Sequence, residues 1–167
     1  MCLISLVQTR RLKAYRPILE GFILDFGYTY YHAILSWCGV LDKGDKSEHF
    51  WEVFIIKYKR KTIGICGLYS LHPGSTDQLW LGWFGVLDEY RNKNLGTLVL
   101  NQLEEKAIKE NCTELCVYID KNKKPLNFYH KNGFIDASTV GEYTKENGLP
   151  IEYFEDKEDL VLTKGLK

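Results

Sequence analysis

The apolar positions of the chain change period several times, and each change marks an element. Residues 3–8 form a short β-type run. Thr9 is an N-cap residue type, and Leu12, Tyr15, Leu19, Phe22 and Ile23 share one face of a helix predicted over about 11–26. Pro17 delays or kinks that helix, and Gly27 is expected to break it. Tyr28, Tyr30, Tyr31, Ile34, Leu35 and Trp37 carry a second helix to about Gly39, and residues 41–48 read as a charged surface loop. Residues 50–58 and 62–71 are β-rich runs on either side of a tight basic turn at Lys59, Arg60 and Lys61, which predicts an antiparallel hairpin. After a turn at residues 72–75, residues 78–87 form a central strand. Leu95, Leu98, Val99, Leu103 and Ala107 line the apolar face of a helix to about Asn111. Residues 114–119 are a fifth strand. A short helix over 122–132 is closed by Gly133, and strands at 134–143 and 160–164 complete the chain. The order is β-α-α-β-β-β-α-β-α-β-β: one α/β (α+β) domain over residues 1–167, with helices flanking a mixed, mostly antiparallel central sheet.

Composition narrows the function. Lys plus Arg and Asp plus Glu are 22 each, so no bulk field draws the chain to nucleic acid or an anionic membrane. Any anion site must be local. No run approaches the roughly 20 apolar residues of a membrane span. The basic residues Arg10, Arg11 and Lys13 follow the first apolar run, the reverse of a secretory leader. Five cysteines, with no CxxC pair, read as reduced thiols in a cytoplasmic protein. Cys112 and Cys116 are spaced like a metal pair, but Cys116 lies in a strand and no histidine is near; they read as small buried hydrophobes, and no metal is expected.

One stretch carries a chemical signal. Residues 83–97 pass from an apolar strand through a charged turn into a helix start. The first turn of a helix has N–H groups without intrahelical partners, and its dipole favours negative charge. Asn94 and Gly96 tolerate left-handed backbone angles, while Arg91 and Lys93 add positive charge. The stretch therefore reads as a diphosphate site. It lacks the glycines of a dinucleotide fingerprint and the Gly-Lys-Ser/Thr of a P-loop.

Two blocks, in order, resemble the GCN5-related N-acetyltransferase (GNAT) family. Val86 followed by Arg91-Asn92-Lys93-Asn94-Leu95-Gly96 is similar to that family's R/Q-x-x-G-x-G/A motif. Residues 122–134, with Asn122, Phe128, Tyr129, Gly133 and Phe134, are similar to its N-x-x-A-x-x-F-Y-x-x-x-G-F segment. Asn94 stands in place of the first motif glycine and Pro125 in place of the usual alanine. The resemblance covers about residues 50–140, the acetyl-CoA half. It leaves about 9–48 and 134–164 to shape the acceptor side.

The resemblance implies roles. The N–H groups of Asn92, Lys93, Asn94, Leu95, Gly96 and Thr97 would cradle the diphosphate of acetyl-CoA, with Arg91 and Lys93 in support. The backbone of Phe84, Gly85 and Val86 would pair with the pantetheine arm, through a bulge that Gly82 and Gly85 allow. An N–H near Val86 would polarise the thioester carbonyl. Asn122 and Phe128 would contact the cofactor, and Tyr129 would protonate the departing thiolate of CoA. The family's usual glutamate slot holds Trp80, so no general base is named. Trp80, Trp83 and Phe84 are expected on one core face, and the lysines at 121, 123 and 124 on a solvated one. Tyr28, Tyr30 and Tyr31, with Glu142 on the late strand, are the candidate acceptor contacts. The implied reaction is acetyl transfer to the primary amine of a small molecule by direct attack in a ternary complex. The alternatives are a protein or peptide N-terminal acetyltransferase and a non-catalytic acyl-CoA-binding module. A homodimer is compatible with this reading.

Overall fold

The computed structural model describes residues 3–40, 50–120 and 125–167; for residues 23–29 only the backbone is described. The expected loop at 41–48, Asn122 and the lysines at 121, 123 and 124 lie outside the described residues.

Seven strands form one sheet in the order β1-β2-β3-β4-β5-β7-β6. They are β1 (Ile4–Gln8), β2 (Trp51–Tyr58), β3 (Lys61–Tyr69), β4 (Gln78–Val86), β5 (Glu114–Ile119), β6 (Ile135–Thr139) and β7 (Leu160–Gly165). Every neighbouring pair is antiparallel except β4 and β5. The β2–β3 hairpin closes with Tyr58 opposite Lys61. Its two turn residues, Lys59 and Arg60, both have positive φ (48° and 69°), the backbone that suits a tight hairpin.

The middle of the sheet is covered on both faces, which explains the nearly unbroken apolar runs of β2 and β3. On one face, α3 (Leu95–Lys109) lays Leu95, Val99, Leu100, Leu103 and Ala107 against Phe54, Ile56, Ile63, Leu68, Leu79 and Leu81. The short helix α4 (Leu126–Lys131) adds Tyr129 to this core. On the other face, α1 (Arg16–Leu19) and α2 (Ile23–Trp37) place Ile18, Tyr30, Ile34 and Trp37 over Val53, Ile55 and Ile65. A third helix on that face, α5 (Val140–Asn147), covers Trp80, Cys116 and Val161.

Three expectations are corrected. The single helix over 11–26 is a 3₁₀ turn (Leu12–Ala14) followed by the four-residue α1, with Pro17 in the first turn of the latter. The break falls near Gly21, where an added Cβ would lie 2.7 Å from the Leu87 side-chain methyl, which would have to shift. Gly27 does not break anything: α2 runs through it, since one interior glycine costs only about 1 kcal/mol against a well-buried face. The strand expected over 134–143 ends at Thr139, where a capping box with Glu142 starts α5.

The glycines of β3 set how closely its neighbours approach. A Cβ on Gly64 would collide with the Gly85 carbonyl of β4, and one on Gly67 would lie 3.0 Å from the Glu52 carbonyl. Gly64→Ala is therefore expected to destabilise the fold by about 1–3 kcal/mol, read from urea unfolding. Unchanged stability would contradict the close approach of β4.

Candidate functional site

Strands β4 and β5 pair only at Gln78, Leu79 and Trp80, opposite Glu114, Leu115 and Cys116. Beyond that point they part: β5 continues along β7 as far as Ile119, and β4 continues along β3 as far as Val86. The parting coincides with a bulge. Ile65 pairs with Gly85 and Gly67 with Gly82, so Trp83 and Phe84 together stand opposite Cys66 alone. Trp83 has φ 46°, a left-handed backbone that a tryptophan holds only when its surroundings over-determine it. The bulge also resets the side-chain alternation. Trp83 joins the α1/α2 face and Phe84 the α3/α4 face, so Trp80 and Phe84 lie on opposite sides of the sheet rather than on one. Backbone groups of β4 are thus presented to a wedge-shaped opening between two parallel strands.

The loop after β4 leads straight to a helix start. Asn92 and Asn94 both have φ 58°, and Asn94 is the N-cap of α3 with no side-chain cap. The first helical bond is Leu98 N–H to the Asn94 carbonyl (3.4 Å), so the N–H groups of Leu95, Gly96 and Thr97 precede the intrahelical ladder. Residues 91–94 are exposed, while Leu95 is buried and pins the turn. Asn94 thus adopts the expected left-handed backbone. Gly96 does not: it lies inside the helix, and its reason is contact. A Cβ there would sit 3.1 Å from the Phe128 ring. The basic side chains fold back on their own loop. Arg91 donates from Nε to the Val86 carbonyl (2.9 Å) and pairs with Asp88 (2.8 Å). Lys93 donates to the Glu89 carbonyl (2.8 Å) and lies over the Tyr90 ring. They shape the turn and lend it positive charge.

The second motif block meets the first here. The Phe128 ring lies 5.7 Å from Phe84 and 5.2 Å from Tyr129 between centroids, and Tyr129 lies 5.4 Å from Phe134. Phe128 therefore joins β4, α3 and α4 at one point. Tyr129 is 5% exposed. Among the described residues its hydroxyl has no hydrogen-bond partner, and burial pushes its phenol well above the usual range. The hydroxyl therefore carries its proton, and burial alone makes it a weaker acid than a free phenol.

The other face of the opening differs from expectation. Tyr30 is fully buried and donates from its hydroxyl to the Ile18 carbonyl (2.9 Å), which makes it a core residue. Glu142 lies on α5 and holds Thr139 in the capping box, with its carboxylate accepting from the Thr139 N–H and hydroxyl. Tyr31 is half-buried on α2, and Tyr28 is described by its backbone alone. Trp80, in the usual glutamate slot, is fully buried and donates from Nε1 to Gln78 Oε1 (3.2 Å). Gln78 in turn donates to Glu114 (2.8 Å) and to the Tyr143 hydroxyl (2.9 Å). A packed polar network thus replaces an ionisable group at that position. The residues that do rim the parting strands on this face are Tyr69, Trp83, Tyr118 and Phe154. Sequence reasoning points to none of them for binding. The bulge itself falls between Gly82 and Gly85, the two glycines expected to allow it, and Gly64 and Gly67 on β3 mark the same close backbone approach. Among the described residues, no group of three His, Cys, Asp or Glu could hold a metal ion.

The Acetyltransferase (GNAT) family model matches residues 16–134. The chain belongs to that family and is an acyltransferase by class. Its fold is similar to that of an acetyltransferase from Streptococcus agalactiae 2603 (15% identity, TM-score 0.69, covering 99% of this chain and 100% of that one). A GNAT acetyltransferase from Elizabethkingia anophelis with acetyl-CoA bound is similar too (20%, TM-score 0.66, 99% and 100%). So is N-acetylglutamate synthase from Neisseria gonorrhoeae complexed with coenzyme A and N-acetyl-glutamate (14%, TM-score 0.69, 100% and 36%). At these identities the likeness is one of fold. None of the curated proteins compared with the chain matches it.

The left-handed N-cap is directly testable. Asn94→Gly is expected to leave thermal stability nearly unchanged, whereas Asn94→Val should cost about 1–2 kcal/mol. Equal stability of the two variants would mean that the backbone there is not held at positive φ.

Proposed function

We propose that the protein transfers an acetyl group from acetyl-CoA to the primary amine of a small molecule, by direct attack within a ternary complex. One observation carries this reading: the opening between β4 and β5 lies beside an uncapped helix start, so an extended amide-bearing arm and its diphosphate have adjoining seats. The donor set fits. The N–H groups of Leu95, Gly96 and Thr97, which precede the helical ladder, the left-handed Asn92 and Asn94, and the positive end of α3 suit a diphosphate. Gly96 lets the Phe128 ring pack against the helix start, and the backbone of Phe84, Gly85 and Val86 suits strand-like pairing with the pantetheine.

When bound, acetyl-CoA supplies an acyl group activated as a thioester. A backbone N–H near Val86 polarises the carbonyl, where fixed dipoles act without reorganisation. Tyr129 holds a proton at its hydroxyl for the leaving sulfur. Arg91 and Lys93 keep the loop in shape and favour the anion, with Phe128 and Asn122 as further cofactor contacts. Trp80 stands in the glutamate slot, and no side chain is assigned as the base; ordered water is one route by which the attacking amine loses its proton. Residues 1–167 act as one catalytic domain. The thiols of Cys38, Cys66, Cys112 and Cys116 are free, which suits the reducing cytoplasm, and no described helix is long and apolar enough to cross a membrane.

A second reading, a CoA-binding module without turnover, is favoured by the burial of Trp80 in the glutamate slot. Thiol release from acetyl-CoA across a panel of small amines and short peptides separates the two. Acetyl-CoA is expected to raise the melting temperature, and Gly96→Glu to abolish that shift by displacing Phe128 from the helix start and adding negative charge to the first turn of α3. A surviving shift would displace the diphosphate from this loop. Tyr129→Phe is expected to lower kcat by about 10²-fold or more with little change in acetyl-CoA affinity. Equal turnover would remove Tyr129 from the chemistry.

A further inference from the structure

The helix that carries Tyr129 is too short to hold itself. α4 has six residues, and so short a helix makes too few hydrogen bonds to be stable alone. What fixes Tyr129 is therefore what grips the end of α4. The Asn132 side chain donates to the Phe128 carbonyl (2.7 Å), and the Phe134 N–H donates to the Tyr129 carbonyl (3.1 Å). The Phe134 ring, 2% exposed, meets the Tyr129 ring edge to face at 5.4 Å. Lys164, from β7, packs on this same turn. Its stem passes Gly133 so closely that an added Cβ would lie 3.5 Å from Cε, and its ammonium lies 6.0 Å from the centre of the Phe134 ring. The same ammonium donates to Glu104 Oε1 on α3 at 2.6 Å, with both side chains largely buried (23% and 17% exposed). One lysine thus ties β7, α3 and the turn after α4 together.

We infer that Lys164 is a positioning residue for the reaction: held by Glu104, it braces Gly133 and Phe134 and so fixes the angle at which the Tyr129 hydroxyl meets the leaving sulfur. This rests on the proton-donor role of Tyr129 proposed above. A largely buried ion pair is weak as a source of stability, because desolvation offsets its attraction, but it fixes direction. The route is steric. Burial is what raises the Tyr129 phenol, with no charge contributing, so Lys164 does not act on its acidity. A proton donor tolerates little misplacement, since hydrogen bonds weaken steeply away from linearity. Acetyl-CoA is seated on β4 and the start of α3, so its affinity does not depend on Lys164.

The test measures thiol release from acetyl-CoA by the full chain, with the amine of the panel above that reacts fastest. Lys164→Met keeps the stem and removes the charge. It is expected to lower kcat about tenfold and to leave the KM for acetyl-CoA within about twofold. Lys164→Arg, which keeps the charge that pairs with Glu104, should recover most of the loss. Glu104→Gln weakens the pair from the other side, should lower kcat in the same way, and serves if Lys164→Met does not fold. The deciding comparison is the double variant. If Lys164 acts through Tyr129, adding Lys164→Met to Tyr129→Phe lowers kcat by less than about twofold further. A further loss of about tenfold there, or an undiminished kcat for Lys164→Met alone, overturns the inference and leaves Tyr129 as the donor. Undiminished turnover of Tyr129→Phe, or no thiol release with any amine, overturns the donor role itself, and the inference falls with it.

Discussion

Two parallel strands that pair for a few residues and then part leave backbone groups facing an opening, and backbone groups in a protein interior need partners. The rest of this structure depends on how β4 is made to leave β5. Gly64 lets the Gly85 carbonyl come within a distance that no side chain would allow. The bulge at Trp83 and Phe84 turns the strand, and Leu87 N–H still reaches the Ile63 carbonyl (2.8 Å), so β4 stays bound to β3 while it diverges from β5. The strain of a left-handed Trp83 is held by packing on both faces. Its ring is pressed on the α1/α2 core, and the next residue, Phe84, is pressed on the α3/α4 core.

The loop and helix beyond β4 are placed by the same strand. Val86 accepts from Arg91 and Leu95 anchors the first turn of α3, so the helix start is set against the end of β4. Phe128 locks the second motif block to the first by filling the space that Gly96 leaves. On the proposed reading, donor recognition is a property of backbone geometry. The side chains that look functional in this loop, Arg91 and Lys93, serve chiefly to keep that backbone in place.

Much of this is legible in the sequence because the relevant signals are local. Most strands of the sheet, the start of α3 and the left-handed Gly133 (φ 86°) just past the C-cap of α4 depend on period, N-cap chemistry and positive φ, all of which a short window carries. The left-handed Asn94 is legible for the same reason. Gly27 misleads because a helix-breaking tendency yields to tertiary packing. A strand over 134–143 overlooks Thr139 and Glu142, whose three-residue spacing is a capping-box signature written in the chain. Gly96 invites the wrong physical reason, since contact with a residue far along the chain leaves no local mark. The acceptor side is least legible. Tyr30 and Glu142 have the right chemistry but are committed to the core and to a cap, and the rings that rim the opening come from β3, β4, β5 and the segment after α5.

The central claim is that the backbone of β4 and the start of α3 together hold acetyl-CoA. Amide hydrogen exchange with and without acetyl-CoA addresses those N–H groups themselves. Protection is expected at residues 82–86 and 92–97, with little change across β1, β2 and the shallow recess at Gln8, Thr9, Arg10 and Trp37. Protection confined to that recess, or none at all along β4 and the α3 start under saturating acetyl-CoA, would contradict the account.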